Sequence, residues 1–262
     1  ATLKSYFDSV TTTLTNKTLS SPLFTGTIDG WISAGETWTY AGADDPTYTF
    51  KVNADVTGKY SAGMKIKLTQ TTVKYFIITA VSAYSGGYTT ITVYGGTDYD
   101  LANDTITNPY YSMVKSPQGF PMSPAKWSVE TVYTGDTTQN TPTVGTWYHL
   151  GSFTLTLPIG VWDFEYGVTA LAATDATQAE VQVTASTANN SETDVHLTSL
   201  SYVQAPTGSG ATRALLVRRK VLEIASKTVY YINLKTSLAG TNLIQLSGSK
   251  SPSIVRATCA YL

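Results

Sequence analysis

The chain is poor in the residues that most often carry chemistry. In 262 residues it has one cysteine, Cys259, and two histidines, His149 and His196. A single thiol forms no internal disulfide and cannot complete a cysteine-rich metal site. Neither histidine stands in a zinc-binding spacing such as HExxH, and no GxSxG nucleophile motif occurs. Members of a Ser–His–Asp triad need not be close in sequence, but so many serines leave no basis for choosing one. No catalytic residue, metal site or cofactor is therefore expected. Only 13% of residues are charged and the net charge is −1. That excludes bulk nucleic-acid binding and a polybasic membrane patch. No apolar run approaches the roughly 18 residues of a membrane span, so no membrane insertion is expected. No signal peptide opens the chain, and Ala1 fits removal of an initiator Met; synthesis in a reducing cytosol is expected.

What is present favours strands and turns. Hydrophobic residues make up 42%, and Thr, Ser, Tyr and Gly dominate the rest. The expected fold is all-β: a small N-terminal β-barrel or sandwich, then a C-terminal jelly-roll sandwich, with a short N-terminal arm or helix. The arm is residues 1–20. Leu3, Phe7, Val10 and Leu14 are spaced 4, 3 and 4 apart, as in a coiled-coil seam, and are candidate subunit-interface residues. Residues 21–115 form the small β domain, with strands at Glu36–Tyr40, Thr47–Val52, Met64–Thr69, Val73–Val81 and Tyr88–Tyr94. VKYFIITAV is apolar on both faces and should be central. MKIKLTQ should bury Met64, Ile66 and Leu68 and offer Lys65 and Lys67 to solvent. Residues 116–126 hold the Pro-rich SPQGFPMSP, read as a semi-rigid linker.

The head spans residues 127–262. Its longest strand, GVWDFEYGVTALA, should turn Trp162, Phe164, Tyr166, Val168 and Ala170 inward and Asp163 and Glu165 outward. The terminal strand, Ser253–Leu262, should place Val255, Ala257, Cys259 and Tyr261 on one face and Ile254, Arg256, Thr258 and Ala260 on the other. Cys259 is expected to be a buried, inert thiol. Charge divides this domain. Between Trp127 and Thr212 there are eight carboxylates and no Lys or Arg; from Arg213 onward there are eight basic residues and one acid, Glu223. The acidic strands should pair with the basic ones, either within one chain or between copies around a ring. Arg256, a candidate interface residue, should meet such a carboxylate.

Three further constellations bear on chemistry. Asp163 and Glu165 share a strand face at a spacing that a glycosidase pair could use, or form a solvated outer face. Asp98, Asp100 and Asp104 in GGTDYDLANDT lack the glycine and distal glutamate of an EF-hand loop, so a polar loop is expected there. Trp147 and His149 are candidate ligand-binding residues, because flat rings beside hydrogen-bonding groups suit saccharides.

The segments GWISAGETWTYAGADDPTYTFKV, GKYSAGMKIKLTQTTVKYFIITAV and TTITVYGGTDYDL resemble a module of tailed-bacteriophage structural proteins, over residues 30–115. YYINLKTSLAG and SIVRATCAYL resemble, more loosely, the trimeric jelly-roll heads of the tumour-necrosis-factor-like class. The resemblance implies a virion surface protein of the receptor-binding or tail-tip type. It would be assembled in the host cytoplasm as a homotrimer, with other virion proteins and a host cell-surface glycan as partners. The alternatives are a virion scaffold or head-decoration protein without a ligand, and a polysaccharide hydrolase.

Overall fold

The computed structural model describes residues 29–174, 178–204 and 210–262. Leu3, Phe7, Val10 and Leu14 of the expected arm lie outside the described residues. The regular structure of the described residues is almost wholly β-strand, in three antiparallel sheets.

The first unit is one seven-stranded sheet. Its strands are β1 (Ile32–Ser33), β2 (Trp38–Asp44), β3 (Thr47–Val52), β4 (Lys65–Gln70), β5 (Thr72–Val81), β6 (Thr89–Tyr94) and β7 (Thr107–Ser112). They lie in the order β1-β7-β4-β5-β6-β3-β2. The sheet curls round its own core. Trp38 of β2 stacks on Phe50 at 4.5 Å and meets Tyr60 edge-on, and Tyr60 in turn meets Tyr111 of β7 at 5.3 Å. β1 and β7 are absent from the expected strands. β1 has two residues, and β7 contains Pro109 beside a register shift against β4. A proline removes the cue of a regular ladder strand.

β5 is the middle strand, as its two apolar faces require. Phe76 and Ile78 enter the first unit's core, whereas Ile77 joins the core of the second unit. Lys65 departs from expectation. Instead of facing solvent it is 2% exposed, because its face of β4 is covered by the C-terminal residues. Its ammonium donates to Tyr261 O at 2.5 Å and Gly63 O at 3.1 Å and lies 5.5 Å from the Phe120 ring. Desolvation pulls its pKa down.

The second unit is a two-sheet sandwich. A four-stranded sheet runs β10 (Tyr148–Leu157), β15 (Thr228–Lys235), β12 (Gln178–Ser186) and β13 (Thr198–Gln204). The six-stranded sheet is built on β11 (Gly160–Thr174). Along one edge β11 pairs with β14 (Gly210–Ile224) over its whole length. Along the other it pairs first with β17 (Ser253–Cys259) and then with β16 (Thr241–Ser247). β8 (Ser128–Tyr133) and β9 (Asp136–Asn140) pair outside those two. β9, DTTQN, has no apolar residue and so no periodicity to betray it. β10 is one continuous strand despite a register shift at Gly151 and Ser152, both at positive φ.

Alternation predicted the faces of β11 and β17. Trp162, Phe164, Val168 and Ala170 are fully buried with Tyr166, and Val255, Ala257 and Cys259 are buried beside them. The last strand ends at Cys259. Beyond it Ala260 N still donates to Val161 O, while Tyr261 turns against Gly63 of the first unit. The Pro-rich stretch 116–126 carries Phe120, which is buried and stacked on Trp127 at 5.1 Å and 7°. Trp127 in turn meets Tyr94, and Tyr94 meets Trp162 at 5.0 Å. One hydrophobic core therefore runs through the junction of the two units.

Tyr166 illustrates how this core handles polar groups. Its hydroxyl donates towards the carbonyls of Val183 (3.1 Å) and Leu197 (2.8 Å) and lies 3.0 Å from Ser199 Oγ. Burial pushes its pKa up to about 12, and burial pushes the Cys259 thiol up to about 11. Both acids keep their protons in the folded chain after the unfolded chain has lost them. Their contribution is complete below about pH 9 and is lost as pH rises through 11 and 12. The urea midpoint should accordingly hold from pH 7 to 9 and fall above it, with a shallower fall in Tyr166→Phe. A midpoint unchanged to pH 11 would contradict this.

Candidate functional site

A concavity of the sandwich lies on the outer face of the six-stranded sheet. Strand register sets out this face in rows that cross β14, β11, β17 and β8. One row reads Val217, Gly167, Ile254, Val132; the next reads Arg219, Glu165, Arg256, Glu130; a third reads Val221, Asp163, Thr258, Ser128. Gly167 has no side chain to fill its place, so a groove of about 620 Å³ opens there, lined by Val217, Ile254, Glu165, Arg256 and Glu130. Sequence reasoning passed over Gly167. Its signal was an isolated glycine in an alternating strand, which marks a close approach or a gap.

The charged row resolves the acidic–basic division. Arg256 donates to Glu165, through Nε at 3.1 Å and through Nη2. Arg219 donates to Asp163, through Nε at 2.7 Å and through Nη2. Lys220, on the opposite face of β14, pairs with Asp194, and Arg218 donates to Thr198 O at 2.7 Å. The pairing that was open between one chain and a ring is thus made within the chain for these three carboxylates. Such exposed pairs are screened by solvent, so they set register and neutralise charge more than they stabilise. The hydrogen bond from Arg219 holds Asp163 below the usual carboxylate range. Asp163 and Glu165, the two carboxylates at a glycosidase-like spacing, thus each lie beside a guanidinium.

Glu130 differs from the rest of its row. It forms no hydrogen bond or ion pair among the described residues, although it is the cross-strand neighbour of Arg256.

The other candidates lie on the four-stranded sheet. Trp147 precedes β10 and is 9% exposed, with Lys235 Nζ 4.3 Å from the centre of its ring. His149 is half-buried on the outer face, where its ring meets Tyr231 edge-on at 5.3 Å and its Nδ1 lies 3.2 Å from Ile232 O. The loop after β12 is tied beside it. Asn190 Oδ1 accepts from His149 N, and buried Asn233 donates to Ala188 O and Ser191 O. The structure therefore groups His149 with Tyr231 and Asn190 and gives Trp147 a cation of its own.

In the loop 95–105 the carboxylates are engaged separately. Asp98 pairs with Lys126, Asp100 accepts from Tyr48 Oη at 2.6 Å, and Asp104 accepts from Thr105 N. No group of three His, Cys, Asp or Glu that could hold a metal ion occurs among the described residues.

No family model matches the chain, and no curated protein does. Among solved structures, dimeric latent PorU from Porphyromonas gingivalis is similar over 86% of this chain and 24% of that one, at 11% identity and a TM-score of 0.31. A chain of the T13 IBDV viral particle is similar over 85% of this chain and 60% of that one, at 13% identity and a TM-score of 0.23. The chain thus spans about a quarter and three fifths of the lengths of the two proteins, and likeness at this level carries no argument about function.

Proposed function

We propose that the chain is a surface protein of a tailed-phage virion whose C-terminal sandwich attaches to host cell-surface saccharide. The observation that carries this reading is the patch of His149, Tyr231 and Asn190. Two rings lie edge to face on a rigid sheet, beside an exposed amide. Rings with neighbouring hydrogen-bonding groups fit a sugar's alternation of C–H faces and hydroxyls. The likeness of residues 30–115 to a phage structural module supports the virion setting, with the first unit facing the particle. The reading assigns no catalysis, in keeping with the guanidinium-paired Asp163 and Glu165. A scaffold protein without a ligand is the second reading, favoured by the covering of Trp147 by Lys235.

A glycan array probed with the full chain separates the two. Saturable binding to host-wall saccharides, weakened at least about tenfold by either His149→Ala or Tyr231→Ala, is expected. An array silent at micromolar protein would remove the receptor role and favour the scaffold.

A further inference from the structure

We propose that the outer face of the six-stranded sheet binds the same face of a second copy of this chain, about a two-fold axis parallel to the strands. The argument rests on the order of charges. Across β14, β11, β17 and β8 the row reads Arg219, Glu165, Arg256, Glu130, a strict alternation of plus and minus with an even number of members. A two-fold axis lying between β11 and β17 reverses that order in the facing copy. Arg219 then meets Glu130 of the second copy, and Glu165 meets Arg256. Every facing pair is of opposite sign. A two-fold axis along the row would set like against like, a costly arrangement.

The same operation fits the apolar row. Val217 faces Val132, and Ile254 comes over the gap at Gly167, so that a knob on each copy meets a hole on the other. These side chains are exposed in the single chain: Val217 55%, Val132 45% and Ile254 39%, with Leu215 and Val221 of β14 beside them. Single exposed apolar residues are ordinary, but a contiguous apolar stripe rimmed by charge marks an interaction surface. Face-to-face sheets pack about 10 Å apart with strands within about 30° of each other, which brings the two central strands of each copy into register. The operation also supplies the missing partner of Glu130.

A three-fold ring would need two different faces of opposite sign. Here both signs lie on one face, which makes that face complementary to itself. The proposal is independent of the saccharide reading, whose patch lies on the opposite sheet.

Light scattering and sedimentation equilibrium of the full chain over about 1–100 µM test it. The expected species is a reversible dimer of twice the 28.1 kDa chain mass, weaker at high salt. Glu130→Lys and Arg219→Glu should each weaken it at least about tenfold. An equal mixture of the two variants should associate again, because each mixed pair carries one native and one reversed ion pair. Gly167→Leu, at an outward position, should abolish association with an unchanged circular dichroism spectrum. A monomeric wild type overturns the proposal. So does a dimer indifferent to Glu130→Lys, or two variants that fail to associate on mixing although each keeps the wild-type spectrum. A trimer also overturns it and would support the ring expected from the resemblance, leaving the saccharide reading untouched.

Discussion

Trp127→Ala is expected to destabilise the protein by about 3–5 kcal/mol, the range for deleting a fully buried aromatic side chain. The indole has no exposed surface. It stacks on Phe120, meets Tyr94 edge-on and donates from Nε1 to Pro121 O at 2.6 Å. Removal takes away the ring surface that joins the first sheet to the sandwich and leaves a partly buried carbonyl without its donor. Urea unfolding followed by circular dichroism should show a lower midpoint, with the first unit melting ahead of the sandwich. Trp127→Phe should cost less, since a ring remains to stack on Phe120 while the donor is lost. A loss below about 1 kcal/mol for the alanine variant would mean that the junction rests on other contacts, such as Lys65 with the carbonyl of Tyr261.

Gly248→Val is expected to cost about 3 kcal/mol or more, combining overpacking against backbone with the loss of the hydrogen bonds at that corner. A β-carbon at Gly248 would overlap Tyr133 O and lie 2.9 Å from Gly135 O. These are backbone atoms on the facing strand corner and cannot rotate away. The corner between β16 and β17 would have to part from the corner between β8 and β9. That would break the contacts of Asp136, which accepts from Ser247 Oγ, Gly248 N and Ser249 Oγ. Ser249→Ala, which removes one of those bonds without a clash, should cost clearly less. Thermal melts of the two variants make the comparison; equal shifts would place the effect in hydrogen bonding and not in the close approach.

Strand identity was the most readable feature of this chain. In β11 the alternation of Trp162, Asp163, Phe164, Glu165 and Tyr166 states which side is core, because a period of two is a local property of extended backbone. The same holds for Val255, Arg256 and Ala257 in β17. The division of charge also said that early acids would meet late bases. β7 and β9 escaped because a proline with a register shift, and an entirely polar strand, carry no such period.

By itself, then, the sequence determined that the protein is all-β, which residues of the long strands face the core, and that Cys259 is buried. Tertiary structure alone decided the partners. Lys65 reads as a solvent lysine until Tyr261 and Phe120 close over it, and SPQGFPMSP reads as a spacer until Phe120 stacks on Trp127. Gly167 becomes a groove, and Arg219, Glu165, Arg256 and Glu130 become a row, only once register has aligned four strands distant in the chain. Register depends on every strand of the sheet at once. Alternation within one strand reveals its faces but not which residue stands beside it.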